Sequence, residues 1–258
     1  MGSIAGSLVV LAVLGLVLYK LWREEQFTAD KWEMFSNPQI YEQLLYALGR
    51  TLRAAVLAIV LAVVFGLVFA MGRLSEKAWL RVPAVVVVEF FRAVPLLMLI
   101  LFVSIGFQEV GTLGALVVGL MLYNGSVLAE VFRAGILAVP RGQAEAAYAV
   151  GMTKGLVMRT VLVPQAARIM LPAIVSQCVV ALKDTALGFV IAYEELVRYG
   201  RQLYTAYDNT IPAMLVIAAI YIGLNMSVSR IATWLEQRQS ARFGHEAVAK
   251  AEDAVAPV

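Results

Sequence analysis

Residues 141–151 read Arg141-Gly142-Gln143-Ala144-Glu145-Ala146-Ala147-Tyr148-Ala149-Val150-Gly151, a polar stretch between two apolar segments. Val161-Leu162-Val163-Pro164 follows after nine more residues. In a short helix, Ala144, Ala147, Tyr148 and Gly151 lie on one face, which leaves small side chains and one ring for close packing. This face predicts a docking element for another protein and argues against a substrate pocket.

Composition indicates that the docking element belongs to a membrane protein. Hydrophobic residues make up 61% of the 258-residue chain and charged residues 15%, against roughly half and a quarter in soluble domains. A spanning helix needs about 20 apolar residues, so the length allows about five or six. The expected fold is all-α, a polytopic transmembrane helix bundle without a separate soluble domain.

Six apolar runs are long enough to be spanning helices. The first ends before Lys20 and Arg23 and has no basic residue ahead of it, which favours a retained anchor over a cleaved signal peptide. The runs cover residues 4–19, 52–71, 82–105, 113–139, 169–192 and 211–235.

Basic residues in the connections predict the orientation. Lys and Arg concentrate at 73–81, at 133–168 and from 230 onwards, whereas 106–112 carries none. The positive-inside rule assigns the basic connections to the cytoplasmic side of a bacterial plasma membrane. Six crossings then make both termini cytoplasmic, although Lys20 and Arg23 are left outside.

Three segments are expected along the chain. Residues 1–43 form an amino-terminal helix and an external linker, 44–236 the transmembrane core, and 237–258 a disordered cytoplasmic tail. The tail is rich in Ala and too polar to build a core of its own. We assign no role to His245 in the tail or to Cys178, the single cysteine.

Motifs for catalysis are missing from the chain. It has no G-x-x-x-x-G-K-[ST] phosphate loop, no H-E-x-x-H or G-x-S-x-G motif and no Cys/His cluster. We expect no enzymatic activity, no cofactor, no metal and no nucleic-acid partner for this chain. The energy for any transport must then come from another protein.

Lys183-Asp184-Thr185 lies inside the fifth apolar run. An Asp or Lys at the centre of a spanning helix costs about 2.5 to 3.5 kcal/mol, so its charge must be compensated. Adjacent helical residues point about 100 degrees apart, so at least one side chain has a partner elsewhere. Two interpretations remain open: a site for a zwitterion, with Lys183 on its carboxylate and Asp184 on its ammonium, or an interhelical ion pair.

Further polar groups occur in the third and fourth runs. Glu130 and Arg133 are three residues apart and can pair along one helix face. Asn124 can donate and accept at once, which makes it a candidate substrate ligand. Arg92, with Glu89, either has a structural role near the interface or joins the substrate pathway, and Pro95 predicts a kink that opens a cavity. The candidate pathway residues are Asn124, Glu130, Lys183, Asp184, Thr185 and Arg92.

Six short segments, in order along the chain, carry a family resemblance: Gly49-Arg50-Thr51-Leu52, Glu89-Phe90-Phe91-Arg92-Ala93-Val94-Pro95-Leu96-Leu97, Ala129-Glu130-Val131-Phe132-Arg133-Ala134-Gly135, Gly142-Gln143-Ala144-Glu145-Ala146-Ala147 with Val163-Pro164-Gln165-Ala166, Lys183-Asp184-Thr185-Ala186-Leu187 and Tyr193-Glu194-Glu195-Leu196. Over about 44–235 they resemble the EAA-motif permeases of binding-protein-dependent ABC importers, in the polar amino-acid branch. The added first helix and the Trp-containing linker resemble glutamate-uptake permeases in particular.

The resemblance implies a five-helix permease core, to which the first helix is an addition, and a set of partners. Residues 142–151 would be the cytoplasmic coupling helix that sits in a groove of the ATPase subunit. Two ATPases would bind ATP and Mg, a second permease, identical or paralogous, would complete the pathway, and an external binding protein would deliver the amino acid. The coupling residues implied are Gly142, Gln143, Glu145, Ala146, Ala147, Tyr148 and Gly151.

Two departures from the family pattern bear on the substrate. The family often has Arg-Gly-Thr-Pro where this chain has Arg92-Ala93-Val94-Pro95, and Ser where it has Ala186. Both changes remove a hydroxyl group near the expected cavity, so relatives do not fix the substrate. Two other classes of function remain alternatives: an ion-coupled secondary transporter that uses Lys183, Asp184 and Glu130, and a membrane scaffold or assembly subunit.

Overall fold

Small residues recur at every fourth position of the second apolar run, and the packing of the bundle follows from them. The computed structural model describes the backbone of residues 2–255 and the side chains of 6–231, 233 and 234. Over that range the backbone forms helices and no strand. The α helices are α1 Gly2–Arg23, α2 Ala29–Trp32, α3 Pro38–Leu74, α4 Ala78–Ala93, α5 Leu96–Gly106, α6 Gly111–Leu137, α7 Arg141–Ala149, α8 Lys154–Val157, α9 Val163–Asp184, α10 Leu196–Tyr207 and α11 Thr210–Val255.

The predicted spans are found in the structure. Five stretches are long and apolar enough to cross a membrane, and a sixth is the pair α4 and α5, which is bent by 100°. The five are Gly6–Arg23, Pro38–Leu74, Gln108–Leu137, Lys154–Ile191 and Thr210–Ile231. The fold is therefore the expected all-α transmembrane bundle, a five-span core with one more helix at its amino end.

The kink predicted at Pro95 is a complete break. Val94 adopts an extended backbone with ψ 130° and ends α4, and Pro95 caps the start of α5. A residue before proline avoids the helical region because its backbone clashes with the ring. The third span is thus two short helices joined at a right angle.

A seam of small residues joins α3 to α6. Ala54, Ala58 and Ala62 on α3 are buried, as is Gly66 one turn further on. A Cβ atom on Gly66 would lie 2.9 Å from the Cβ of Leu128, and one on Gly125 would lie 2.8 Å from the ring of Phe65. Small residues at four-residue spacing let helix backbones approach closely in a membrane.

The seam fixes the direction of the helices. Gly125 of α6 lies against Ala62, and three residues later Leu128 lies against Gly66, so α3 and α6 run parallel. The segment between them must therefore bring the chain back, and the bent pair does so: α4 meets the end of α3 where Ala84 packs on Gly72, and α5 meets the start of α6. The bent pair counts as one crossing.

A second apolar cluster closes the end of the bundle where α3 begins. Met34, in the helical turn after α2, is buried with Ile40 and Leu44 of α3. Leu196 and Leu203 of α10 complete it from the other side, together with the first turns of α11. Met34 and Ile40, in the segment predicted to be linker, are thus part of the core. α3 begins at Pro38, before the expected boundary at 44.

The structure differs from the sequence prediction at the carboxyl end. α11 continues as a helix to Val255, through the segment 237–255 that we predicted to be disordered. The reason is local: this segment is rich in Ala, Glu, Gln, Lys and Arg, which favour helix even without a core to pack against.

Candidate functional site

The first candidate site is the short helix α7 at the end of α6. Its backbone ends in a Schellman motif: the Gly151 amide donates to the Tyr148 carbonyl at 2.9 Å, and the Met152 amide donates to the Ala147 carbonyl at 3.2 Å. Gly151 has φ 84°, a left-handed backbone that other residues adopt at a cost. This glycine is therefore required by the backbone, since a Cβ there would meet no atom within 4 Å.

The face of α7 that we predicted to dock is divided between two environments. Ala147 is buried against its own chain and Ala144 is half-buried, whereas Tyr148 is 46% exposed. The outer surface is formed by the remaining residues, and Val150 is 75% exposed on it. We correct the prediction accordingly, because Ala147 holds α7 to the protein and cannot contact a partner. The exposed coupling candidates are Gly142, Gln143, Glu145, Ala146, Tyr148 and Gly151.

Polar contacts fix α7 and α8 to the ends of the spans. The side-chain Nε2 of Gln165 on α9 donates to Oε1 of Gln143 at 3.2 Å. Lys154 of α8 donates to Glu76 in the connection between α3 and α4. Lys154 lowers the pKa of the Glu76 carboxyl below its usual value through that hydrogen bond. α7 is thus bonded to α9, and α8 to the α3–α4 connection.

The second candidate site is the polar interior of the spans. Within the part of the chain that the structure describes, Lys183 and Asp184 form no ion pair with each other. Asp184 interacts with Asn124 of α6, whereas Lys183 is exposed on a cavity next to α11. Neither residue takes part in an ion pair with another helix among the described side chains, so the geometry gives no support to the interhelical ion pair. Thr185 is buried, and its hydroxyl donates to the Leu182 carbonyl at 2.6 Å.

Asn124 is almost completely buried and has two hydrogen-bonded neighbours. It donates to the Leu120 carbonyl at 3.2 Å and accepts from Nε2 of Gln177 of α9 at 2.6 Å. With Asp184, these groups form a polar layer between α6 and α9. Both amides of this layer are used in holding the helices together, which leaves Asp184 as its charged member.

A charge network connects three helices near the end of α3. Arg73, whose side chain is only 9% exposed, donates to Glu89 of α4 at 3.1 Å and to Glu130 of α6 at 2.9 Å. Arg133 pairs with Glu130 at 2.5 Å, as the three-residue spacing predicted, and Arg92 pairs with Glu89 at 3.4 Å. Three arginines and two glutamates leave one positive charge in excess. Sequence reasoning missed Arg73, which we had placed in a connection by its position alone.

Comparison with known proteins decides the family. The chain matches the family described as binding-protein-dependent transport system inner membrane component over residues 62–241. The chain belongs to this family. It is 41% identical over 234 residues to the glutamate transport system permease protein GluD of Corynebacterium glutamicum, an alignment that covers 87% of this chain and 86% of that protein.

Other similar proteins support the assignment to this family. The glutamate/aspartate import permease protein GltK of Escherichia coli O6:H1 is 29% identical over 76% of this chain and 92% of its own. A crystal structure of an amino acid ABC transporter with histidines has a TM-score of 0.75 at 31% identity, covering 82% of this chain and 99% of that chain. The five-span core is therefore the family fold.

Glu195 is a structural residue of this inner-membrane component that sequence reasoning missed. It is fully buried and caps α10 by accepting from the amides of Val197 and Arg198 at 2.8 and 2.7 Å. The hydroxyl of Tyr221 on α11 donates to the same carboxylate at 2.9 Å. Burial raises the pKa of the Glu195 carboxyl above its usual range, although the two amides and the hydroxyl favour its ionised form. The available signal was an acidic residue immediately before an amphipathic run, which is typical of a helix cap.

Metal binding has no geometric support in the described residues. No group of three or more His, Cys, Asp or Glu side chains there is arranged to hold a metal ion.

Proposed function

We propose that this chain is the membrane-spanning subunit of an ATP-driven amino-acid importer and forms its translocation pathway. The exposed surface of α7 carries the proposal, because this helix follows the end of α6, closes in a Schellman motif and is hydrogen-bonded to α9. The adjoining helix α8 is bonded to the connection between α3 and α4. Such a helix pair transmits force from a partner into the bundle. The partner would be a pair of cytoplasmic ATPases that bind ATP and Mg, since this chain has no phosphate loop.

A second permease subunit, identical or paralogous, would complete the pathway. Lys183 is exposed within a span, where contact with lipid is costly. Its face of the bundle therefore suits a water-filled path or another protein, and not hydrocarbon. Lipid would cover the apolar faces on the other sides. An external binding protein would deliver the substrate, as the family description implies.

Glutamate, or a related amino acid, is the proposed substrate. Two similar permeases carry glutamate in their names, and one of them is 41% identical to this chain. We place the α7 side in the cytoplasm by the charge of its connections, and with six crossings both termini as well. The core would be 44–236, preceded by a helix and linker at 1–43 and followed by the tail at 237–258. Asn124, Glu130, Lys183, Asp184, Thr185 and Arg92 stay the candidate pathway residues.

Reconstituted vesicles test this function. The complete complex should take up glutamate only when ATP is inside the vesicle and the loaded binding protein outside. Uptake that follows an ion gradient without ATP would indicate a secondary transporter. No uptake under either condition, from a complex that still assembles with its ATPase, would favour a scaffold role.

A further inference from the structure

A large cavity, apolar over most of its lining but with two cationic side chains, opens between the end of α9 and the middle of α11. It has a volume of about 670 Å³, within the range of roughly 300 to 1,000 Å³ that is usual for small-molecule sites. Lys183 and Arg230 line it, and none of its described lining residues is acidic. Asp184, the nearest acid in sequence, interacts with Asn124 on another helix. The cavity therefore holds two positive charges without a counter-charge of its own.

We propose that this cavity binds an acidic amino acid during transport, with Lys183 and Arg230 each bound to one carboxylate. This inference rests on the proposed import function and names the substrate class of that pathway. Sequence reasoning assigned Lys183 a single carboxylate and gave Arg230 no part in binding. The cavity brings the second cation into the same site, so the site discriminates by the number of carboxylates.

Asn225 supplies the third element of recognition. It lines the same cavity, and its Nδ2 donates to the Tyr221 carbonyl at 2.7 Å. Its Oδ1 is buried and has no hydrogen-bond donor, a state that costs free energy until a donor is supplied. Rotation of the side chain toward the cavity would offer this oxygen to the ammonium group of an amino acid, which is such a donor. Two cations and one unmatched acceptor correspond to the two carboxylates and one ammonium of glutamate or aspartate.

Charge complementarity of this kind has a specific consequence for neutral analogues. Glutamine has the size of glutamate but lacks one carboxylate, so one of the two cations in the cavity would stay unpaired. Removal of one partner of a charge pair costs more than loss of a neutral contact. The site therefore prefers glutamate to glutamine by at least tenfold, and the preference depends on both Lys183 and Arg230.

The test uses the complete complex in vesicles, with glutamate-loaded binding protein outside and ATP inside. Lys183→Gln and Arg230→Gln remove one charge each at similar size, Arg230→Lys restores the charge, and Arg159→Gln removes an exposed arginine outside the cavity. Binding-protein-stimulated ATP hydrolysis is measured beside uptake of labelled glutamate, because it reports assembly and coupling independently of substrate passage.

We expect Lys183→Gln and Arg230→Gln to keep ATP hydrolysis within twofold of the wild type and to lose glutamate uptake at least tenfold. Arg230→Lys should recover most of the uptake, and Arg159→Gln should behave as wild type. Unlabelled glutamate should compete at least tenfold better than glutamine in the wild type and lose that advantage in both variants.

Wild-type uptake by either variant overturns the inference while the import function stands. Equal loss of hydrolysis and uptake overturns it too, because it gives these residues a role in assembly. If the wild-type complex shows no ATP-dependent uptake, the proposed import function is wrong, and the inference about the cavity is wrong with it.

Discussion

At the scale of single residues, Gly151 shows how one backbone angle closes α7. Its φ of 84° closes α7, and an alanine in that conformation costs about 1 kcal/mol. We expect Gly151→Ala to fray the last turn of α7, with faster amide exchange over 147–152 and less glutamate uptake per ATP hydrolysed. Gly155→Ala is the matched control, since Gly155 lies in the neighbouring helix α8 with open space around it and outside the coupling candidates. If Gly151→Ala took up as much glutamate per ATP hydrolysed as the wild type, the helix cap would not be needed for coupling.

Glu195 is buried at the end of the bundle where α3 begins, and its replacement should weaken that end. The Glu195 carboxylate accepts three hydrogen bonds through its two oxygens. In Glu195→Gln one of these oxygens becomes an NH₂ group, which cannot accept from the donor that faces it. We expect a loss of about 1 to 3 kcal/mol, measured as a lower thermal midpoint in detergent. The neighbouring Glu194→Gln removes an exposed contact with Arg50 and should change the midpoint little.

Stability should also depend on pH through Glu195. Its folded pKa is raised above the ordinary 4.5, chiefly by burial, so the folded protein binds this proton more readily than the unfolded chain. The stability contribution of the group is then greatest below pH 4.5 and falls as the pH rises through the folded pKa. The advantage of the wild type over Glu195→Gln should therefore shrink over this window in thermal unfolding. An advantage that grows with pH would mean that the hydrogen bonds outweigh burial.

At the scale of elements, the Arg73 network joins α3, α4 and α6. Arg73 is nearly buried, and Arg73→Gln removes the guanidinium that Glu89 and Glu130 share. We expect a loss of about 2 kcal/mol, between the value of an exposed pair and that of a fully buried one. Thermal unfolding of the purified chain measures it. Lys154→Gln breaks the exposed pair with Glu76 and serves as the control, with no measurable change in stability expected. If both variants lost the same stability, the contacts of Arg73 would contribute no more than an exposed ion pair.

The elements also show what sequence could predict. Apolar length and Pro95 were enough to predict the spans and a kink, because both depend on local chemistry. The partner of Arg73 was not predictable, since Glu130 is 57 residues away in sequence and meets it only through the α3–α6 seam. Helix geometry likewise predicted that Lys183 and Asp184 diverge, but their separate surroundings depend on where α6 and α11 lie. Long-range side-chain pairing is decided by packing, and a single sequence does not contain it.

At the scale of the whole molecule, α1 is separate from the core. No residue of the span Gly6–Arg23 is buried inside the rest of the protein, and the family match begins only at residue 62. We expect a chain that lacks residues 2–25 to insert, assemble with its ATPase and take up glutamate at about the wild-type rate. Thermal unfolding and vesicle uptake check this. A truncated chain that assembles but fails in uptake would give α1 a part in transport.

The parallel course of α3 and α6 has a consequence for how the chain is made. α3 leaves the ribosome first, yet its row of small residues stays uncovered until α6 follows, after the bent pair has been synthesised. Arg73 precedes both of its partners in the chain, and Glu89 is synthesised before Glu130. Glu89, carried by the bent pair, is therefore the first counter-ion available to Arg73, and Glu130 joins it when α6 packs against α3.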